Sequence, residues 1–368
     1  MSTVEVQRVQ SVAEKLSADG FDALVVSKGS DIKYLTGFTG EYGVAVMVIS
    51  PKESFMVTDS RFETQAAAET QGLTIQVYPS GSPTESSYYG HTGAIIRDMG
   101  FKRVGIYSGD LAYGEFKQLQ TVAPEAVFED APEYITEMRA VKTPEELELI
   151  RKACWISQRS FYALLDFIKP GVTEAEVAHQ LDHLFHTHGG DGWCFPTIVA
   201  SGPNNGACPH ASVSDRKIEY GDFVTIDFGT YYKGYCSDIT RTILVGDKPK
   251  EPELLECNRI VNEAKKVGES MLKPGAVYSD ICKAIRATVE KYGYVIPHGP
   301  GHNFGLDIHE APFLTNTNPD VEKPGMTHTI EPGIYLPGVG GIRQEDDYLI
   351  TEDGYERLTN ISDALIVL

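Results

Sequence analysis

The sequence predicts two domains in series, an α/β domain followed by a larger α+β domain in which strands dominate. Three observations lead there. At 368 residues the chain exceeds what one hydrophobic core usually organises. Its first third alternates short β-branched runs with helical stretches, the pattern of an α/β domain built around one sheet. Beyond residue 194 strand character prevails, interrupted by two long helical segments at about 251–270 and 278–292.

In the first domain FDALVVS (21–27), VAVMVIS (44–50), SFMVT (54–58), TIQVY (74–78) and RVGIYS (103–108) have the composition of buried strands. Helical stretches fall at about 61–71, 89–98 and 113–121. The region holds neither a glycine-rich phosphate loop nor a cluster of titratable residues. The pattern changes at KTPEELELIRKACWISQRSFYALLDFI. There Thr143 can cap a helix, Pro144 suits its first position, and Glu145 and Glu146 favour its N-terminus. The boundary is placed near residues 136–142, giving domains 1–138 and 139–368. A second helix, about 173–188, opens at Thr173 with Glu176 three residues on, the spacing of a capping box.

Composition narrows the function classes. A net charge of −20 opposes a polyanionic partner, so neither nucleic acid nor an anionic membrane surface is expected. No apolar run approaches the ~20 residues of a membrane span, and the first residues, MSTVEVQRVQSVAEKL, lack an apolar signal core. Six scattered cysteines with no CxxC pair suit reduced thiols in a cytoplasmic protein better than a disulfide framework.

Almost every residue with chemical potential lies after position 205. VTIDFG (224–229) and YCSDITRTILVG (235–246) form an expected hairpin whose apolar strands are interrupted by Asp227 and Asp238. A buried carboxylate is costly unless it meets a cation or is fully hydrogen-bonded. For either acid alone, a turn or a structural salt bridge would suffice. HGPGHNFGLDIHEAP (298–312) then brings His298, His302 and His309 into a segment thick with glycine, which lets backbone pass close to a site. A second hairpin, THTIEPGIYLPGVGGIRQEDDYLIT (327–351), places Glu331 in one strand and Glu345 in the other. Alternation puts His328 on the opposite face from Glu331, which makes His328 structural. Four strand-borne carboxylates and an imidazole match two divalent cations in charge. An oxygen-dominated set favours hard or borderline ions such as manganese or cobalt over a thiolate-type zinc site.

These segments resemble the creatinase/aminopeptidase P/prolidase branch of the metallopeptidases with the pita-bread fold. ASGPNNGACPHA (200–211), TIDFGTYYKGYCSDITRT, GHNFGLDIHEAP, TIEPGIY and IRQEDD match densely, and YLTGFTG (34–40) and TDSRFETQAA (58–67) more loosely. The resemblance implies a creatinase-like N-terminal domain and an α+β pita-bread catalytic domain. It implies that Asp227, Asp238, His302, Glu331 and Glu345 are the ligands of two divalent ions, most often manganese, with cobalt or zinc as alternatives. His210 would contact substrate and intermediate, His309 would stabilise the scissile carbonyl, His298 would be a further active-site histidine, and Arg343 the arginine just before the last ligand. The implied activity is hydrolysis of the N-terminal Xaa-Pro bond of peptides by a metal-bridging hydroxide, with Glu331 carrying the proton. A prolidase confined to dipeptides and a non-catalytic pita-bread binding protein are the alternatives. The resemblance also implies a homodimer.

Two departures from the family pattern, Asn303-Phe304 after the ligand histidine and Gln344 before the last ligand, are expected near substrate. Cys208 and Cys236 lie beside site residues and are expected to be small buried packing groups. His179, Asp182 and His183, with His186 and His188 beyond, mimic a helical zinc motif. Aspartate stands there where glutamate is needed, and a solvated face is the better reading.

Overall fold

The β-branched runs of the N-terminal region become neighbouring strands of one mixed sheet. The computed structural model describes residues 3–368 and divides between Arg139 and Ala140 into two units. In the first, β1 Ala23–Val26, β2 Ala45–Ile49, β3 Phe55–Thr58, β4 Thr74–Val77, β5 Arg103–Ile106 and β6 Val127–Asp130 align in the order β4-β3-β2-β1-β5-β6. Strand β2 is antiparallel to both its neighbours, and the other pairs are parallel. Every residue of β1, β2 and β3 is buried, as central strands covered on both faces require. Helices Tyr88–Asp98 and Tyr113–Val122 pack on the sheet through Ile95, Ile96 and Leu119 against Val25, Val48 and Val57. Edge strand β6, VFED, is mostly exposed and so carries no apolar signal in the sequence.

The second unit builds two helix-on-sheet halves. Helices Pro144–Leu165 and Glu174–Thr187 begin as the sequence predicts. Thr143 Oγ accepts from the Glu146 N–H while Glu146 accepts from the Thr143 N–H, and Thr173 and Glu176 repeat the exchange. This helix pair buries Ile156, Phe161, Leu181 and Phe185 against the sheet of β7 Ile198–Ser201, β8 Phe223–Phe228 and β11 Ile239–Leu244. A small ribbon, β9 Tyr231–Tyr232 with β10 Tyr235–Cys236, lies between β8 and β11 in the chain. Helices Glu253–Met271 and Tyr278–Glu290 form the second pair. They pack Ile260, Val261, Ile281 and Ile285 against Ile330, Ile342 and Tyr348. The sheet there is β13-β12-β14-β17-β18, made of β12 His302–Asn303, β13 Glu310–Phe313, β14 Thr327–Ile330, β17 Asp346–Ile350 and β18 Tyr355–Arg357. A ribbon of β15 Gly333–Leu336 and β16 Gly340–Arg343 follows β14.

Both expected hairpins form, but both are broken, which corrects the placement of the acids. The first runs β8, then the β9–β10 ribbon, then β11; the second runs β14, then the β15–β16 ribbon, then β17. Asp227 sits one residue from the end of β8. Asp238 falls between β10 and β11, Glu331 between β14 and β15, and Glu345 between β16 and β17. An acid at a strand break escapes the strict up-and-down alternation of the ladder, so Asp238, Glu331 and Glu345 can turn toward the point that Asp227 faces from within β8. Among the described residues no helix is long and apolar enough to cross a membrane, and the six cysteines are unbonded.

Candidate metal site

His302 is the middle of the site. On β12, its Nδ1 lies 3.1 Å from the Asn303 carbonyl oxygen, which places the ring proton on Nδ1 and leaves the Nε2 lone pair facing the acids. That Nε2 stands 3.5 Å from Asp238 Oδ2 and 3.5 Å from Glu331 Oε1. Ligand-type atoms of Asp238, His302 and Glu345 all lie within 4.8 Å of one another, the one such buried trio among the described residues. Asp238 is held by its own backbone N–H, which donates to Asp347 Oδ2 at 2.9 Å. Glu345 Oε2 accepts from Thr240 Oγ1 at 2.7 Å. On β8, Asp227 Oδ2 accepts from Arg343 Nη2 at 2.6 Å, while its Oδ1 is buried without a hydrogen-bond partner.

The electrostatics show how strongly the acids act on one another. Burial, then the nearby Glu345 and Asp227, pushes the Asp238 carboxyl well above the usual carboxylate range. Burial and Glu345 do the same to Glu331. Burial, with Asp227 next in weight, lifts Glu345 to about 8. Burial and His309 lower His302 to about 3, so its imidazole stays neutral and free to donate a lone pair. Acids this close either share protons or neutralise cations. The unpartnered Asp227 oxygen, the neutral imidazole and the converging carboxylates fit divalent cations. The donor set, oxygen-rich with one nitrogen and no sulfur, suits hard or borderline ions.

A cavity of about 470 Å³ holds this cluster, and all nine side chains singled out in the sequence line it. His210 and His309 are exposed, and the His309 ring stands edge-on to His302 with centroids 4.5 Å apart. His298 Nδ1 lies 2.8 Å from the Gly299 oxygen, and its Nε2 lies 3.0 Å from Tyr335 Oη. Burial lowers His298 to about 4. Arg343 is 3% exposed and donates to Asp227, Tyr335 Oη, the Pro209 carbonyl and Thr240 Oγ1. Phe195, Pro196, Ile308, Phe313 and Leu314 form the apolar side of the cavity.

Tyr335 and Thr240 escape sequence reading. A tyrosine or threonine in a β-run is ordinary strand composition, and only the fold shows that each bonds to Arg343. Other expectations are corrected. Asn303, Phe304 and Gln344 do not line the cavity. Asn303 accepts from Tyr278 Oη, Phe304 is fully buried, and Gln344 donates to Asn258, so all three are packing groups behind the site. Cys208 is exposed rather than buried, because it lies on the surface after the short helix Gly202–Asn205. His328 is fully buried against Asn303, 3.2 Å from its Oδ1, as alternation predicts. His179, His183 and His186 lie exposed along helix Glu174–Thr187, and none joins a metal-type cluster.

Residues 148–352 match the model of metallopeptidase family M24, and residues 8–141 match the creatinase/prolidase N-terminal domain. The chain belongs to metallopeptidase family M24. An uncharacterized peptidase, YqhT, of Bacillus subtilis is 36% identical over 95% of this chain and 96% of that one. An Xaa-Pro dipeptidase from Bacillus anthracis superposes with a TM-score of 0.89 at 35% identity, covering 99% of each chain. An X-Pro aminopeptidase from Thermotoga maritima gives 0.82 at 31% identity over 95% of this chain and 98% of that one. The expected architecture of a creatinase-like α/β domain followed by an α+β pita-bread domain is thereby established for this M24 member.

Proposed function

We propose that this M24 metallopeptidase hydrolyses the bond between an N-terminal residue and a following proline with two divalent ions held by Asp227, Asp238, His302, Glu331 and Glu345. The observation that carries this is the convergence of four carboxylates and a neutral imidazole on one cavity with an apolar side. When bound, such ions supply a hydroxide nucleophile at neutral pH and Lewis-acid stabilisation of a carbonyl. Manganese is the first metal to try, with cobalt and zinc next.

The chain's own residues divide the remaining work. Glu331 can accept a proton from water and pass it to the proline nitrogen, which must be protonated before it leaves. His309, exposed beside His302, can donate to a developing oxyanion. Arg343 fixes the Asp227 carboxylate and, through Tyr335, the ring of His298. Phe195, Ile308 and Phe313 offer apolar contact to a proline ring or first side chain.

Similarity to the Xaa-Pro dipeptidase of Bacillus anthracis makes Xaa-Pro dipeptides the first substrates to test. One observation favours N-terminal Xaa-Pro in longer peptides. Among the described residues lining the cavity, Arg343 is the single arginine or lysine, and four of its five N–H donors are engaged, by Thr240, Pro209, Tyr335 and Asp227. A dipeptide's C-terminal carboxylate would thus have to compete for Arg343 with the Asp227 carboxylate, whereas a longer chain presents a neutral amide at that point. Metal-stripped protein reloaded with manganese, cobalt or zinc should cleave Xaa-Pro or Xaa-Pro-Yaa peptides and spare Xaa-Ala-Yaa. Equal cleavage of all three, or none with any metal, would overturn the reading.

A further inference from the structure

The residues that hold a carboxylate decide how much reorganisation a metal must impose when it arrives. Glu345 is held at three separate points by two consecutive residues of β11, Thr240 and Arg241. Its backbone N–H donates to the Thr240 carbonyl at 3.0 Å. Its backbone carbonyl accepts from Arg241 Nη1 at 2.5 Å, and its carboxylate Oε2 accepts from Thr240 Oγ1 at 2.7 Å. Arg241 is 1% exposed and is itself anchored, with Nη2 donating to Asp346 Oδ1 and to the Ile361 carbonyl. Asp346 in turn pairs with Lys265 and Arg357, so this anchor is tied into a larger ion-pair network. Thr240 Oγ1 also accepts from Arg343 Nε at 3.2 Å, and Arg343 holds Asp227. Asp238 immediately precedes β11.

We infer that the pair Thr240–Arg241 is the positioning device of the metal site. It sets Glu345 against Asp238 and Asp227 before any ion binds, so that the cluster's mutual repulsion is resisted by the protein rather than relieved by movement. This rests on the metal reading proposed above. Neither side chain lines the cavity, and both act on the site through their bonds to Glu345, as positioning groups.

Thr240→Val removes the hydroxyl at nearly constant volume, and Arg241→Lys keeps the charge while losing the fork. Manganese titration of metal-stripped protein by calorimetry should show affinity falling about 10–100-fold in Thr240→Val, the range typical of groups that orient ligands. A smaller loss is expected in Arg241→Lys. The unfolding temperature of metal-free Thr240→Val should stay near the parent's, and its KM for a proline peptide should not change; Arg241→Lys, which loses buried hydrogen bonds, serves only for the affinity comparison. Activity should return as manganese is raised. Parent-like affinity in Thr240→Val would overturn the inference, as would a lowered metal-free unfolding temperature with unchanged affinity. If the parent binds manganese yet cleaves no proline peptide, the substrate reading fails while the calorimetry still decides this one. If the parent binds no divalent ion, both fall.

Discussion

Glu331 shows how one side chain acquires two demands. Its Oε1 faces His302 and its Oε2 lies 3.8 Å from His298 Nδ1, in a setting where burial and Glu345 favour its protonated form. Such a group takes a proton readily but is a poor ligand until cations balance its neighbours. Glu331→Gln keeps an oxygen donor and removes the base. We expect kcat to fall on the order of 100-fold or more while most of the metal is retained, checked by steady-state kinetics beside elemental analysis. Full turnover in that variant would remove Glu331 from the proton-transfer role. Residue type and strand context made the acids visible in the sequence. Nothing local marked Thr240 or Tyr335, because a hydroxyl in a strand is informative only once its partner is known.

At the scale of elements, a buried network ties helix Tyr278–Glu290 to β12 and β14 behind the site. Tyr278 Oη donates within a pocket formed by Asn303 Oδ1 at 2.9 Å and Glu322 Oε2 at 3.0 Å, while His328 lies 3.8 Å from Glu322 Oε1. Burial raises Glu322 to about 7, opposed by Tyr278 and by the charge of Lys142, and burial keeps His328 neutral by lowering it to about 3. A carboxyl whose folded-state pKa lies above its unfolded value binds more protons in the folded state. The folded protein therefore bears no ionisation cost below about 4.5, loses stability as pH rises toward 7, and carries the full cost above it. That cost is on the order of 3 kcal/mol. Glu322→Gln should thus raise the unfolding temperature more at pH 8 than at pH 5. An equal shift at both pH values would show that Glu322 stays charged, or stays neutral, throughout. The helices framing this region are legible from periodicity and caps. The breaks in the hairpins are not, because YCSDITRT has the composition of one continuous strand and only pairing with β8 reveals where it divides.

For the whole molecule, every proposed ligand belongs to the second unit, and the first holds its own sheet and core. Manganese binding should therefore stabilise the region spanning residues 195–345, by about 2.7 kcal/mol at a hundredfold excess over Kd. Hydrogen exchange with and without the ion should show the gain in protection there and little in residues 3–139. A uniform gain across both units would mean that they unfold as one.

The two-part architecture, the capped helices at Thr143 and Thr173, and the nine residues that meet in one cavity were all legible before folding was considered. The architecture and caps depend on local periodicity and capping chemistry, and the acids stood out by the cost of placing carboxylates among apolar neighbours, while His210 and Arg343 were marked only by the resemblance to the metallopeptidase family. Only the tertiary structure decided that Asn303, Phe304 and Gln344 pack behind the site, that Cys208 is exposed, and that Thr240 and Arg241 grip Glu345 from another strand. Those facts depend on which distant segments become neighbours, and a residue near a ligand in sequence can face the other side of its sheet.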